Sequence, residues 1–205
     1  MTEIAATRSA LLELSEERRS LAEGYRFLDE KRLVLAAAIL EELHRYQPAA
    51  AALDTTFAAA VAALKAALGR HGLEGLLVYP AAALETTRLE VARHSVLGVA
   101  RQEATLAGTA LEPSPAANPS PEAVACRRRF AEVVAQAAAL AAMAGNLERL
   151  GREYRRTARR ARALEDVLLP EIDHTLADVA GRLEEIDREE AIRVRYAAET
   201  QGHPG

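Results

Sequence analysis

The residues best suited to recognition chemistry are seven arginines gathered in one short segment. Glu153 is the only acidic residue among them. Because a planar guanidinium group binds a carboxylate through two parallel hydrogen bonds, the segment fits an acidic surface of a protein partner. One alternative is a solvated helix surface paired with acids of the N-terminal helical arm. Nucleic acid is a weaker alternative, since the net charge is −4. The arginines are Arg149, Arg152, Arg155, Arg156, Arg159, Arg160 and Arg162.

Other residue types that could do chemistry are not arranged for it. The five histidines are scattered, and the sequence contains no glycine-rich phosphate loop, no His and Cys at metal-ligand spacing and no Ser-His-Asp pattern. The single cysteine, Cys126, cannot form a disulfide within the chain and fits a reducing cytoplasm. The sequence therefore predicts a non-catalytic protein with no cofactor and no metal.

Heptad patterns at both ends of the chain predict the elements that carry these charges. Apolar residues at heptad spacing form the seam of a coiled coil, and one helix alone cannot bury such a seam. We therefore expect an antiparallel hairpin of two helical arms, with pairing between chains as the alternative. The predicted seam residues are Leu14, Leu21, Leu28 and Leu35 in the first arm, and Leu147, Leu150, Leu164, Leu168, Ile172, Leu183 and Ile186 in the second.

The composition supports long, narrow helices. Hydrophobic residues make up 50% of the chain, but 46 of the residues are alanine and only 4% are aromatic. Alanine is the best helix former and buries little surface, so a thick globular core is not expected. We find no signal-peptide core and no apolar run of the roughly 18 to 20 residues that a membrane span needs. We therefore expect a soluble, intracellular protein that reaches a membrane only through a partner.

The middle of the chain changes period and predicts a short β-hairpin, with irregular structure as the alternative. Strands are expected around Leu89–Val91 and Val96–Val99, with the bend at 93–95 or at Gly98. The fold class is thus dominated by α-helix, with a small central region. The expected regions are an N-terminal coiled-coil helix over 1–68, a central turn, hairpin and proline-rich loop over 69–121, and a C-terminal coiled-coil helix over 122–205 with a disordered tail.

Two prolines fall inside the predicted arms. Pro48 is expected to interrupt or kink the first arm near Gln47, because proline lacks a backbone donor and clashes with the preceding turn. Pro170 coincides with a run of three four-residue steps from Leu164 to Leu176, which is a stutter in the heptad pattern. A local change of twist or a bend is therefore expected near Pro170.

Three stretches of the sequence resemble the D subunit of the V-type and archaeal-type (A-type) rotary ATPases. Their order and spacing together are more specific than any one of them. The likeness covers both arms, about two thirds of the chain. The matching residues are Thr7-Arg8 with Leu11-Leu12, then Gly24, Leu28 and Lys31-Arg32, and then Asn146, Arg149-Leu150, Arg159-Arg160, Ala163-Leu164-Glu165 and Pro170.

The resemblance implies a central rotor shaft. In that family the paired terminal helices enter a hexamer of three catalytic and three non-catalytic nucleotide-binding subunits. The other end joins a small stalk subunit and the socket above a proton- or sodium-carrying membrane ring. The resemblance makes two charged segments candidate contacts with the hexamer. Their residues are Arg149, Arg152, Arg155, Arg156, Arg159 and Arg160, and Glu184, Glu185, Arg188, Arg193 and Arg195.

Two other classes of protein share the seams and the charges. One is a cytoplasmic coiled-coil adaptor or filament protein, which would self-associate. The other is a holdase chaperone similar to prefoldin, which would hold unfolded clients at its helix tips. A nucleotide-processing enzyme is the least favoured class, since no phosphate-binding loop is present.

Overall fold

The fold is dominated by helix, as predicted, and contains a central β-hairpin. A computed structural model describes residues 5–79, 87–107 and 119–201, with side chains as far as residue 196. The disordered tail was predicted to begin at Gln201, which is the last residue of the final helix; the rest of the tail, 202–205, and most of the proline-rich loop lie outside the described residues. The elements are α1 (Arg8–Leu77), β1 (Arg88–Val96), β2 (Val99–Ala107), α2 (Pro121–Ala163), a π-helical turn (Leu164–Leu168) and α3 (Leu169–Gln201).

The chain forms two compact units, and the long helices contribute to both. We call Met1–Leu33 with Arg155–Gly205 the terminal unit, and Val34–Tyr154 the central unit. The sequence predicted three consecutive regions, whereas the terminal unit combines both ends of the chain. The region boundaries expected at residues 68 and 121 stay a prediction. The helix α1 itself continues to Leu77.

In the terminal unit, the start of α1 packs antiparallel against the later part of the chain. Residue numbers rise along α1 as they fall along its partner: Arg8 pairs with Asp187 (3.6 Å), Arg18 with Asp173, and Gly24 lies opposite Leu164. The buried core of this unit is Leu14, Ile172 and Val179, with Leu11, Leu21, Leu176 and Leu183 packed around it. These are the leucine-rich faces that the heptad pattern predicts.

In the central unit, α1 and α2 are also antiparallel, and the hairpin packs on them. Leu35 and Leu150 are completely buried, and they form one cluster with Ala38 and with Val99 of β2. Burying a leucine side chain stabilises a fold by about 1.5–3 kcal/mol, so this cluster is a main attachment of the hairpin. Further along the helices, alanines take over the buried positions at Ala60, Ala67 and Ala123.

The hairpin has two nine-residue strands joined by a two-residue turn. Its register runs from Arg88 opposite Ala107 to Val96 opposite Val99. Leu97 (φ 48°) and Gly98 (φ 82°) both have positive φ, which is the backbone that a tight two-residue turn requires. The bend expected at 93–95 was therefore wrong, and the alternative at Gly98 was right, because only glycine adopts this conformation without steric cost.

The interruption expected at Pro48 was wrong, and a kink there stays a prediction. The helix α1 runs through Pro48, and Gly72 (φ 67°, ψ 176°) is the residue where its backbone leaves helical geometry. Alanine-rich sequence follows Pro48, and alanine has the highest helix propensity. We attribute the continuity of α1 to these helix formers and to the packing of buried residues later in α1, such as Ala60 and Ala67. Together they outweigh the one backbone hydrogen bond that Pro48 cannot form.

The change of twist expected near Pro170 takes the form of a π-helical turn. The Leu169 N–H donates to the Leu164 carbonyl, five residues earlier instead of four. Proline would clash with the carbonyl four residues before it in a regular α-helix. The wider turn just before Pro170 relieves that clash, and α3 continues afterwards.

Two helical segments, Arg8–Leu77 and Pro121–Tyr196, contain windows that are long and apolar enough to cross a membrane, judged by length and composition alone. The expectation that no apolar run approaches that length was therefore wrong. Runs of alanine are the reason, since they raise the mean hydropathy without adding large side chains.

Candidate partner-binding surfaces and a buried polar cluster

Four arginines of the terminal unit form an exposed basic face, which we call the arginine face. It consists of Arg155, Arg156, Arg159 and Arg160 on α2, all exposed. Within the part of the chain that the structure describes, none of the four makes an ion pair or a side-chain hydrogen bond. Their donors are therefore available to a partner. Arg162, two residues further on, is also exposed.

The two earlier arginines of the predicted segment lie in the central unit and are used within the chain. Arg149 donates from Nε to the Ala100 carbonyl (2.9 Å) and from Nη2 to Asn146 Oδ1 (2.6 Å). Arg152 pairs with Glu148 of its own helix at 3.4 Å. The structure thus holds Arg149 against the hairpin, and the contact role that the resemblance implies for Arg149 and Arg152 stays a prediction.

The second predicted contact segment is an exposed stretch of α3. Arg188 pairs with Glu184 and Arg193 with Glu189, each at 3.3 Å and four residues apart. Exposed pairs of this kind contribute about 0–1 kcal/mol, so a partner could replace them at little cost. Glu185 and Arg195 are exposed as well. A contact role for this segment stays a prediction.

The predicted seam residues differ in their burial. Leu14, Leu35, Leu150 and Ile172 are buried, whereas Leu168 is 41% exposed and Ile186 is 49% exposed. The π-helical turn explains Leu168, because a wider turn advances each residue through a smaller angle and leaves Leu168 short of the interior. The partly buried members are Leu21, Leu28, Leu147, Leu164 and Leu183.

Where the hairpin meets the helices, the central unit contains a buried polar cluster. Glu42 is completely buried and Asn146 is 2% exposed. Arg101 of β2 donates from Nη2 to Glu42 Oε2 at 2.6 Å, and Asn146 donates from Nδ2 to Glu42 Oε1 at 2.8 Å. A charge is stable in such a place only when it is paired and hydrogen-bonded, and both conditions are met here.

Asn146 also binds the edge of β2 directly. Its Nδ2 donates to the Gln102 carbonyl (2.8 Å), and the Gln102 N–H donates to its Oδ1 (2.7 Å). The amide of Asn146 therefore bonds both backbone groups of Gln102, as a neighbouring strand would do at the edge of a sheet. The hairpin is fixed in position by directional bonds in addition to the apolar contact of Val99.

Sequence reasoning missed Glu42 and Arg101, although a signal was present. Glu42 lies seven residues after Leu35, so it continues the column of seam leucines with a carboxylate. A charged residue at a heptad core position destabilises a coiled coil unless something pairs with it. That mismatch could have indicated a cationic partner from the middle of the chain.

Another group of hydrogen-bonded polar residues lies where α2 begins. The Ser120 hydroxyl accepts from the Ala123 N–H at 3.1 Å and lies 2.6 Å from His71 Nε2. Arg70 donates to Glu122 at 2.8 Å. Ser120 is thus the N-cap of α2, followed by Pro121 and Glu122 in the first turn. His71 and Arg70, near the end of α1, contact Ser120 and Glu122 respectively.

Replacing Ser120 by alanine is expected to lower the free energy of unfolding by about 0.5–2 kcal/mol, because the Ala123 N–H loses its acceptor. Urea unfolding followed by circular dichroism measures the change. Ser20→Ala, on the exposed face of α1, is the control and should not lower stability. A Ser120→Ala variant as stable as the wild type would show that the cap contributes nothing.

The cap also predicts a dependence on pH. A hydrogen bond from its own backbone N–H, helped by Arg70, holds the pKa of Glu122 below its ordinary value. A lowered folded-state pKa gives stability that is present above the unfolded value of about 4.3 and is lost as the pH falls through the folded value. Because glutamine does not titrate, the free energy of unfolding of Glu122→Gln should fall less between pH 7 and acidic pH than that of the wild type. An identical acid loss in both proteins would contradict this.

Across the arms of the terminal unit, Tyr25 is hydrogen-bonded to Glu165. This bond to a carboxylate is the main reason that the pKa of Tyr25 is raised. No group of three or more histidine, cysteine, aspartate or glutamate residues within the described ranges is placed to hold a metal ion.

In each unit the helices pair antiparallel, and in the central unit a β-hairpin packs on them, which defines a coiled-coil protein with a small central β-hairpin. Comparison with known proteins identifies the family. The sequence model of the ATP synthase D subunit matches residues 10–199, so the chain belongs to that family.

The relatives of this chain carry the same description. The chain is 32% identical to the V-type ATP synthase D subunit of Anaeromyxobacter sp. (strain K), over 95% of each chain. It is 31% identical to the V-type ATP synthase D subunit of Thermus thermophilus, over 95% of this chain and 87% of the relative. The A-type ATP synthase D subunit of Methanosphaera stadtmanae is 26% identical, over 94% of this chain and 92% of the relative.

Proposed function

We propose that this chain is the non-catalytic central-stalk subunit, the rotor shaft, of a V-type or A-type rotary ATPase. In this role its paired terminal helices lie inside a hexamer of catalytic and non-catalytic nucleotide-binding subunits. Their rotation couples ATP synthesis or hydrolysis in the hexamer to proton or sodium transport through a membrane ring. The exposed arginine face supports this role, in a chain that belongs to the D subunit family.

The mechanism requires stiffness and a surface that distinguishes conformations. Buried seam residues such as Leu14 and Ile172 lock the arms of the terminal unit together. The arginine face then meets acidic groups of the hexamer, whose positions differ between open and closed nucleotide sites. A contact shifts the equilibrium between an open and a closed nucleotide site only if it binds one of the two conformations more tightly. Each orientation of the rotor therefore favours the open conformation at one of the sites.

The remaining partners follow from the same role. The central unit is directed toward a small stalk subunit and the socket of the membrane ring, and the complex holds the chain at the cytoplasmic side of the membrane as a peripheral component. We assign no nucleic-acid partner and no direct membrane insertion.

Neutralising part of the arginine face tests the proposal. Arg159→Gln with Arg160→Gln should weaken binding to the hexamer by about tenfold at low salt, with a smaller effect at high salt, since each exposed ion pair contributes up to about 1 kcal/mol. Neutralising all four arginines should also reduce ion transport per ATP in the reassembled complex. Circular dichroism should show unchanged helix content.

Another adjacent arginine pair on α2 gives a matched control. Arg128→Gln with Arg129→Gln removes the same charge from exposed positions in the central unit, where Arg129 already pairs with Glu132 at 3.1 Å. This variant should bind the hexamer like the wild type. Equal effects of the two double variants would mean that net charge alone matters, and ATP-driven pumping unchanged by all four substitutions would refute the proposed role of the face.

A further inference from the structure

The π-helical turn holds apolar side chains out of the interior of the terminal unit. None of its five residues is buried. Val167 is 48% exposed and Leu168 is 41% exposed, although Leu168 lies seven residues after the buried Ala161. A regular helix would carry Leu168 toward the seam. The turn thus leaves Leu168 exposed, and the next residue, Leu169, is partly buried instead.

One exposed apolar side chain, that of Val167, continues the arginine face, and Leu168 is its neighbour in the chain. Arg156, Arg160, Ala163 and Val167 follow one another at steps of four, three and four residues, which places them on one side of the helix. The basic groups and the apolar group therefore form one continuous strip. The turn is also held firmly from behind, since Leu164 lies against Gly24 and Glu165 is hydrogen-bonded to Tyr25.

We propose that Val167 and Leu168 are an apolar anchor that acts together with the arginine face in binding one protein surface. The partner surface presents carboxylates to the arginines and, next to them, a shallow apolar recess for the two side chains. This inference rests on the proposed function, which makes the partner an inner surface of the hexamer. Charge complementarity identifies the occupant, because the four arginines have no acidic partner among the described residues of the chain.

The two parts of such a surface have different physical signatures. Contacts of exposed arginines are weakened by salt, because ions screen them. Contacts of Val167 and Leu168 depend on removing apolar surface from water and are nearly insensitive to moderate salt. If the surface uses both kinds of contact, removing the arginines should weaken binding mainly at low salt, and removing the apolar side chains should weaken it equally at all salt concentrations.

The test measures binding of the full chain to the co-expressed hexamer of nucleotide-binding subunits over a range of salt concentrations. Val167→Ser with Leu168→Ser should bind about tenfold more weakly at every salt concentration, since two partly exposed apolar side chains no longer bury their remaining surface. Arg159→Gln with Arg160→Gln should instead flatten the salt dependence. Val167→Ser alone, which alters only the more exposed side chain, should show part of the loss with an unchanged melting temperature.

Two exposed apolar residues of the central unit provide the control. Leu40→Ser with Phe57→Ser alters side chains that are 57% and 51% exposed and should leave affinity unchanged. If the wild type binds the hexamer and the Val167 and Leu168 variants bind equally well, the anchor is refuted while the proposed function stands. If the wild type does not bind the hexamer, the proposed function fails and the anchor fails with it.

Discussion

Replacing Glu42 by alanine is expected to lower the free energy of unfolding by about 3–5 kcal/mol, the usual cost of removing one partner of a buried ion pair. Arg101, with 15% of its side chain exposed, loses the carboxylate 2.6 Å away, and Asn146 loses one acceptor. The hairpin should then detach from the helices more often. Amide hydrogen exchange of Gln102 reports this directly, since its N–H is bonded to Asn146.

The neighbouring residue is a matched control. Glu41 also contacts Arg101, at 3.6 Å, but its side chain is 62% exposed. Glu41→Ala should therefore change stability by less than about 1 kcal/mol. If the two alanine variants unfold at the same urea concentration, or if Gln102 exchanges at the wild-type rate in Glu42→Ala, the buried cluster does not hold the hairpin.

Replacing Leu14 by aspartate is expected to have a similarly large effect on the terminal unit. The leucine is 9% exposed and packs with Ile172 and Val179. Removing it leaves a cavity, and the new carboxylate has no cation in that cluster, so the loss should be at least about 3 kcal/mol. Thermal unfolding followed by circular dichroism should show a lower melting temperature.

Leu12→Asp tests the same change two residues earlier in the helix. Leu12 is 65% exposed, so its replacement should leave the melting temperature close to that of the wild type. The difference between the two variants isolates burial from helix propensity and charge. If Leu14→Asp melts like Leu12→Asp, the arms are not held together by this seam.

The helical arms could be predicted because their signal is local and repeated. Leu14, Leu21, Leu28 and Leu35 recur every seven residues, and that period specifies a helix with one buried face. The hairpin was predicted for a similar reason, since Gly98 between β-favouring residues marks a turn. Its bend was misplaced because the polar residues Arg93, His94 and Ser95 also resemble turn residues.

The buried polar cluster depends on long-range geometry. Glu42, Arg101 and Asn146 come from α1, β2 and α2, and nothing local shows that the hairpin folds back onto these two helices. Similarly, the exposure of Leu168 follows from one changed hydrogen bond, from Leu169 to Leu164. Heptad counting assumes regular turns, so it placed Leu168 in the seam.

The assignment of individual contacts in the arginine segment could not follow from composition. Arg149 and Arg155 are equivalent in sequence terms, but Arg149 is bonded to the hairpin and Arg155 is free within the described part of the chain. The deciding factor is the position of the hairpin beside one end of the segment. The structure shows which arginines of the segment are exposed and which are bonded within the chain, and their part in the proposed shaft stays a prediction.

Co-purification with the nucleotide-binding subunits tests the central claim most directly. The chain would be co-expressed with the catalytic and non-catalytic subunits of a V-type or A-type ATPase from the same genome, captured through a tag on the hexamer, and weighed by native mass spectrometry. We expect one copy of this chain per hexamer. A hexamer that assembles without this chain, together with an isolated chain that forms concentration-dependent oligomers of itself, would contradict the role of a central shaft.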